Sequence, residues 1–315
     1  MADCSVEGNT DMYGLGIRLG FYLNWYGGIL AHFVAVKEIK AIQYAIFCFV
    51  AATFVAVVVQ TARGALTVLD IYITLLLCFG YYFFLIPTFL WRLATCFQAR
   101  LDPTRWPRVH PGPLFYAAHG ILTIAVAIFQ LWFWTSEILR SNHCPYYGFL
   151  FERAILSSVT LRIVNIALQS IIILIATLSM VMLLKSLLSD QPDKQSIEGF
   201  LREIIERQTG RHMWEDTPLS NRQKTNLQTI YSAILLVVAS FVTAATELTI
   251  TWNGVTGVND LDTAGQLIPF LVGVGVIGRV LFIPFFSGSN VSEPSPNPTR
   301  SYLMGHRGHQ GKPYY

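Results

Sequence analysis

The sequence predicts an all-α polytopic membrane protein with seven transmembrane helices, its N-terminus lumenal or outside and its C-terminus cytosolic. Three observations carry this. Only 13% of the 315 residues are charged and the mean hydropathy is +0.47, whereas soluble domains carry about 25% charged residues. A deficit that large leaves lipid, not water, as the main solvent of the surface. Seven apolar runs then approach or exceed the roughly 20 residues needed to cross a hydrocarbon core. Lastly, the basic residues between those runs fall on alternating sides.

In chain order, Met1–Met12 is polar and acidic (Asp3, Glu7, Asp11). It has neither the basic n-region nor the apolar h-region of a cleavable signal peptide, so it reads as a lumenal segment. The helical bundle occupies residues 13–286, with spans at Tyr13–Ala35, Ala41–Thr61, Thr67–Leu93, Pro113–Ser136, Thr160–Leu188, Asn226–Trp252 and Ala264–Phe286. Arg18, Asn24, His32 and five glycines interrupt the first. The alternative for that segment is an amphipathic helix lying in the interface, which leaves six spans and a cytosolic N-terminus.

Charge sets the orientation. One side carries Lys37 and Lys40, Arg92 to Arg108, Lys185 to Lys224, and Arg279 onward. The other has Arg18, Arg63, Arg140, Arg153 and Arg162 alone, five of the 22 basic residues. The positive-inside rule makes the richer side cytosolic. On the lumenal side Cys4 and Cys144 are the two cysteines outside spans, and a disulfide between them is expected there. Cys48, Cys78 and Cys96 read as packing residues.

On the cytosolic side, LDPTRWPRVHPGP (Leu101–Pro113) has too many prolines for regular helix and reads as a rigid connector. Residues 195–209 place Ile197, Phe200, Leu201, Ile204 and Ile205 at helical spacing, an amphipathic helix resting on the membrane or capping the bundle. Residues 287–315 are rich in Ser, Pro and Gly and read as a disordered tail.

The pair of spans around TWNGVTGVNDLDT (Thr251–Thr263) is where chemistry concentrates. Glu247 sits about one turn inside the lumenal boundary of the sixth span, and an ionisable group there has a partner or a function. The seventh opens with Gln266 and Pro269 and carries Gly273, Gly275 and Gly278, read as close-packing glycines. At 1.5 Å per residue, Asp70, Arg162, Asn165 and Gln266 share the lumenal leaflet with Glu247, joined by Arg18 and Asn24 if the first segment spans. Two readings of this cluster stay open. One is structural ion pairing, Glu247 with Arg162 or Arg18. The other is a lumen-facing pocket in which Glu247 or Asp70 acts as general acid and Arg162, Asn165, Gln266, Asn24 and Arg18 bind substrate. The 21 Phe, 14 Tyr and 7 Trp supply interfacial belts and, where they turn inward, faces able to stabilise an organic cation.

No phosphate-binding loop, dinucleotide fingerprint or His/Cys metal spacing is present, so no cofactor and no metal is expected. The basic residues are scattered through short loops, which excludes nucleic acid. The expected partners are membrane lipid and a small lipophilic ligand, in the endoplasmic reticulum or plasma membrane.

The runs CSVEGNTDMYGLGIRLGFYLNWYGGILA (Cys4–Ala31) and WNGVTGVNDLDTAGQLIPF (Trp252–Phe270) resemble a large set of filamentous-fungal membrane proteins, mostly uncharacterised, across the membrane region. That resemblance implies no catalytic residues. In span count and in pairing acids with aromatics, the chain is similar in architecture to fungal membrane-embedded terpene cyclases. The functional expectation is an acid-catalysed cyclase or isomerase of a prenylated, terpenoid-type molecule in secondary metabolism. An ion or solute channel or transporter, and then a seven-helix receptor, are the alternatives.

Overall fold

The computed structural model describes residues 6–35, 38–95, 98, 101–103, 112–140, 145–149, 152–188, 219–261 and 263–287. Helix makes up 82% of them. The elements are a single turn α1 (Thr10–Tyr13), then α2 (Leu15–Val34), α3 (Ile39–Ala62), α4 (Val68–Phe83), α5 (Leu85–Ala94) and α6 (Pro113–Trp132). α6 runs through a π-turn at Phe133–Glu137 into α7 (Ile138–Arg140). A hairpin of β1 (Tyr147–Phe149) and β2 (Arg153–Ile155) precedes α8 (Val159–Leu188), α9 (Asn221–Trp252) and α10 (Ala264–Ser287). The ends Trp252 and Ala264 fall where the sequence puts them.

Among the described residues, five helices are long and apolar enough to cross a membrane: α3, α6 with its π-turn, α8, α9 and α10. α2 and α4 are the interior of the bundle. Arg18, Phe21, Trp25 and Ala31 of α2 and Leu69, Ile71, Ile73, Leu75 and Leu77 of α4 are almost fully buried. Protein packs around these two helices, so they tolerate Arg18, Asn24, Asp70 and Thr74. Polar groups in membrane segments face a bundle interior for this reason. α4 is short because the third apolar run breaks at Phe84. Pro87 has no N–H to give the Phe83 carbonyl four residues earlier, and its ring crowds that carbonyl.

α2 does not lie along the outside of the bundle. It runs parallel to α10 with backbones in contact. A Cβ on Gly16 would stand 2.2 Å from the Gln266 carbonyl oxygen, and one on Gly20 would stand 2.7 Å from that of Pro269. Farther on, Gly27 meets Val276 and Gly273 meets Leu23. Small residues four apart let two helices approach this closely. Of the three α10 glycines read as close-packing, Gly273 alone packs closely; Gly275 and Gly278 have nothing within 4 Å of an added Cβ. The correction is geometric. At about 100° per residue, two or five positions past Gly273 is another side of the helix.

At the face where α2, α4, α8 and α10 begin, three irregular segments knit together. Gly8 N–H donates to the Thr256 carbonyl (3.0 Å) and Thr256 N–H to that of Val6 (3.1 Å), a parallel bridge between the N-terminal segment and the α9–α10 loop. The Asn253 carboxamide brackets Tyr147 of β1, accepting its N–H at 2.8 Å and donating to its carbonyl at 2.7 Å. Arg153 of β2 lies over the Tyr147 ring and donates to the Trp252 carbonyl. Cys4, Cys144, the amphipathic segment 195–209, the tail 288–315 and most of the proline-rich connector lie outside the described residues.

Candidate functional site

Just beneath that knitted face, the last turns of α9 meet the first turns of α2. Glu247 and Arg18 form the ion pair that one sequence reading anticipated, through Oε2 and Nη1. Arg18 Nη2 donates to the Val258 carbonyl at 3.0 Å and to Asn259 Oδ1 at 2.7 Å. One guanidinium thereby ties α2, α9 and the α9–α10 loop together, although its Nε has no partner. The Tyr22 hydroxyl donates to Glu247 Oε1 at 2.8 Å. The pair is lopsided: the Arg18 side chain is 1% exposed and that of Glu247 is 43% exposed. The carboxylate is thus the accessible edge of an otherwise buried cluster.

Behind Glu247 runs a row of rings. Tyr22 lies 5.7 Å from Trp25, and Trp25 lies 6.2 Å from Phe84. The row is packed solid, since a Cβ on Gly80 of α4 would stand 2.6 Å from the Trp25 ring. One to two turns along α9 from Glu247, the Tyr26 hydroxyl is within 3.5 Å of Thr243 Oγ1 and 3.4 Å of Ser240 Oγ. Below that the α2–α9 seam closes on a cluster of Ile29, Tyr231, Leu235 and Ala239.

Asp70 stands apart from this group. Thr67 N–H and Oγ1 donate to its Oδ2 at 2.8 and 2.7 Å, while the Tyr13 hydroxyl (2.5 Å) and the Asn9 N–H (3.3 Å) donate to Oδ1. Asp70 N–H in turn donates to Thr67 Oγ1. This is a capping box at the start of α4, extended to fasten the N-terminal segment.

The other residues expected at a shared site divide between two places. Gln266 occupies the α2–α10 seam, and Asn24 is buried on α2. Gln266 Oε1 accepts the Gly16 N–H at 3.4 Å, and Asn24 donates to the Gly20 carbonyl at 2.7 Å with its own Oδ1 unpartnered. Arg162 and Asn165 lie on α8. Arg162 Nε donates to the Trp134 carbonyl in the π-turn at 3.2 Å, and Asn165 donates to the Leu161 carbonyl one turn back at 2.8 Å.

Tyr22, Asn259 and Tyr13 were not singled out from sequence. Tyrosine is common at span ends, and nothing in the two runs marks these two as hydrogen-bonding. Among the described residues no three His, Cys, Asp or Glu side chains gather as metal ligands. Comparison with known protein families, characterised proteins and solved structures gives no match. The roles therefore rest on geometry alone.

Proposed function

We propose that this is an integral membrane protein crossing the bilayer seven times, with a lumenal or outer N-terminus and a cytosolic C-terminus. We propose further that it acts on a lipidic small molecule where Glu247 opens from the α2–α9 seam. The close parallel packing of α2 on α10 supports the seven-span count, because the two helices share a start and run side by side. The broken pair α4–α5 supplies the remaining span.

The observation that carries the functional reading is the lopsided burial of the Arg18–Glu247 pair. A buried guanidinium and the Tyr22 hydroxyl hold the carboxylate in one rotamer and leave its outer edge accessible from the membrane side. In this reading Glu247 takes a proton from water at its exposed edge, gives it to a double bond of a prenylated, terpenoid-type substrate and takes one back from the resulting cation. Tyr22 relays the proton, and Arg18 positions the acid. The chemistry is cyclisation or isomerisation. Because Trp25 and Phe84 leave no interior space, the substrate lies against the outer side of the seam. Asp70, with four donors on its two oxygens, holds the N-terminal segment and donates nothing. The cluster Ile29–Leu235–Ala239 closes the seam below and counts against an ion path through it.

The test compares metabolites of the producing cells with and without the gene, then with variants. Loss of one cyclic product with accumulation of its linear precursor is expected on deletion and with Glu247→Gln, which keeps one acceptor oxygen for Arg18 and turns its NH2 to the Tyr22 hydroxyl oxygen. Tyr22→Phe should lower product by about a hundredfold, the lower end of a general acid–base contribution. Asp70→Asn should leave product formation intact in whatever protein folds. Full product from Glu247→Gln sinks the enzymatic reading.

A further inference from the structure

At the opposite end of the bundle a groove of about 310 Å³ lies between the start of α3 and the second half of α10. It exists because small residues line it: Ala41 and Ala45 from α3, and Gly275 from α10, where an added Cβ would meet nothing within 4 Å. Val272 and Val276 complete apolar walls. At its mouth Arg279 Nε stands 2.5 Å from Glu38 Oε2. This is an ion pair without a straight hydrogen bond, since Oε2 accepts none.

Its burial is again lopsided, this time with the cation outside. The Glu38 side chain is 13% exposed and Arg279 63%. A carboxylate held in the protein thus fixes the guanidinium fork at its Nε, while the Arg279 side chain stays mostly exposed. That fork matches two oxygens of a phosphate. Exposed Lys40 adds a second positive charge at the same helix start. In the orientation proposed above, this mouth lies at headgroup level in the cytosolic leaflet, where anionic lipids concentrate.

We propose that the groove holds an anionic phospholipid, its phosphate on Arg279 and one acyl chain along Ala41, Ala45 and Gly275. The inference rests on the membrane-spanning reading and is independent of the chemistry at Glu247.

The experiment uses the full chain in lipid nanodiscs containing either phosphatidic acid or phosphatidylcholine. It counts lipids retained after detergent transfer by native mass spectrometry. Phosphatidic acid should be retained about tenfold better, the value of one good charge-assisted contact. Arg279→Gln should abolish that preference. Gly275→Leu should fill the groove and reduce retention of both lipids without lowering the lipid-free melting temperature. Inorganic phosphate should not compete. Equal retention of the two lipids, an undiminished preference in Arg279→Gln, or displacement by inorganic phosphate overturns the proposal. Insertion into nanodiscs without headgroup preference rejects the lipid site and leaves the spanning reading standing; a chain that stays soluble without detergent rejects both.

Discussion

Arg18 and Glu247 answer differently to removal because they are buried differently. Glu247→Ala strands a guanidinium that is 1% exposed, leaving it Val258 O and Asn259 Oδ1 alone. Arg18→Met leaves a carboxylate that solvent already reaches and fills the same space with an apolar chain. Breaking a buried pair from the side that strands the charge costs about 3–5 kcal/mol, while the reverse change, which leaves the Val258 carbonyl without its donor, should cost about 1–2 kcal/mol. Thermal unfolding of both variants in micelles should show Glu247→Ala melting lower; the opposite order would refute the assignment of Arg18 as the buried partner. How much of this was legible differs residue by residue. That Glu247 needs a partner follows from any carboxylate inside an apolar span. Which arginine supplies it does not, because Arg18 and Arg162 lie at the same depth in the sequence, and only tertiary packing separates them. Asp70 did carry a readable sign. Thr67-Val-Leu-Asp70 is the capping-box pattern before an apolar run, and that pattern points to a cap before it points to catalysis.

Among elements, the α2–α10 contact makes the sharpest demand on sequence. Gly20→Ala places a methyl 2.7 Å from the Pro269 carbonyl oxygen, so one helix must retreat from the other over several turns. Overpacking of this kind costs about 1–3 kcal/mol. Gly278→Ala meets open space and gains up to about 1 kcal/mol of helix propensity. Melting temperatures of the two variants should therefore move in opposite directions, and equal shifts would mean that α2 and α10 do not touch as described. Helix ends were largely readable, since apolar runs end where polar turns begin. Which face of a helix carries the contact was not, because α10 has glycines on more than one face and periodicity alone cannot say which meets α2. The hairpin Tyr147–Ile155 escaped for a related reason. Its strands are three residues each, too short to alternate visibly, and Asn253 completes β1 from more than a hundred residues away.

On the scale of the whole molecule, the least hydropathic segment turns out to be among the most enclosed, and that reverses the usual inference from Arg18, Asn24 and the glycines. Polar residues weaken the case for a span only when lipid is the neighbour, and α2 has α3, α4, α9 and α10 as neighbours. Since α2 and α10 start at one face and run parallel, whichever membrane side receives the α9–α10 loop also receives residues 6–13. Val6 and Gly8 are hydrogen-bonded to Thr256 of that loop. The two topologies weighed from sequence therefore make opposite predictions. In sealed microsomes, an epitope at the N-terminus should resist protease and one at the C-terminus should be removed. A glycosylation acceptor engineered before Cys144 should be modified, and the natural Asn290-Val-Ser sequence in the tail should not. Digestion of both epitopes would put the two termini on one side and require six spans. That count would detach residues 6–13 from the Thr256 loop and leave Arg18 without Glu247, so the mapping experiment tests the site as directly as it tests the fold.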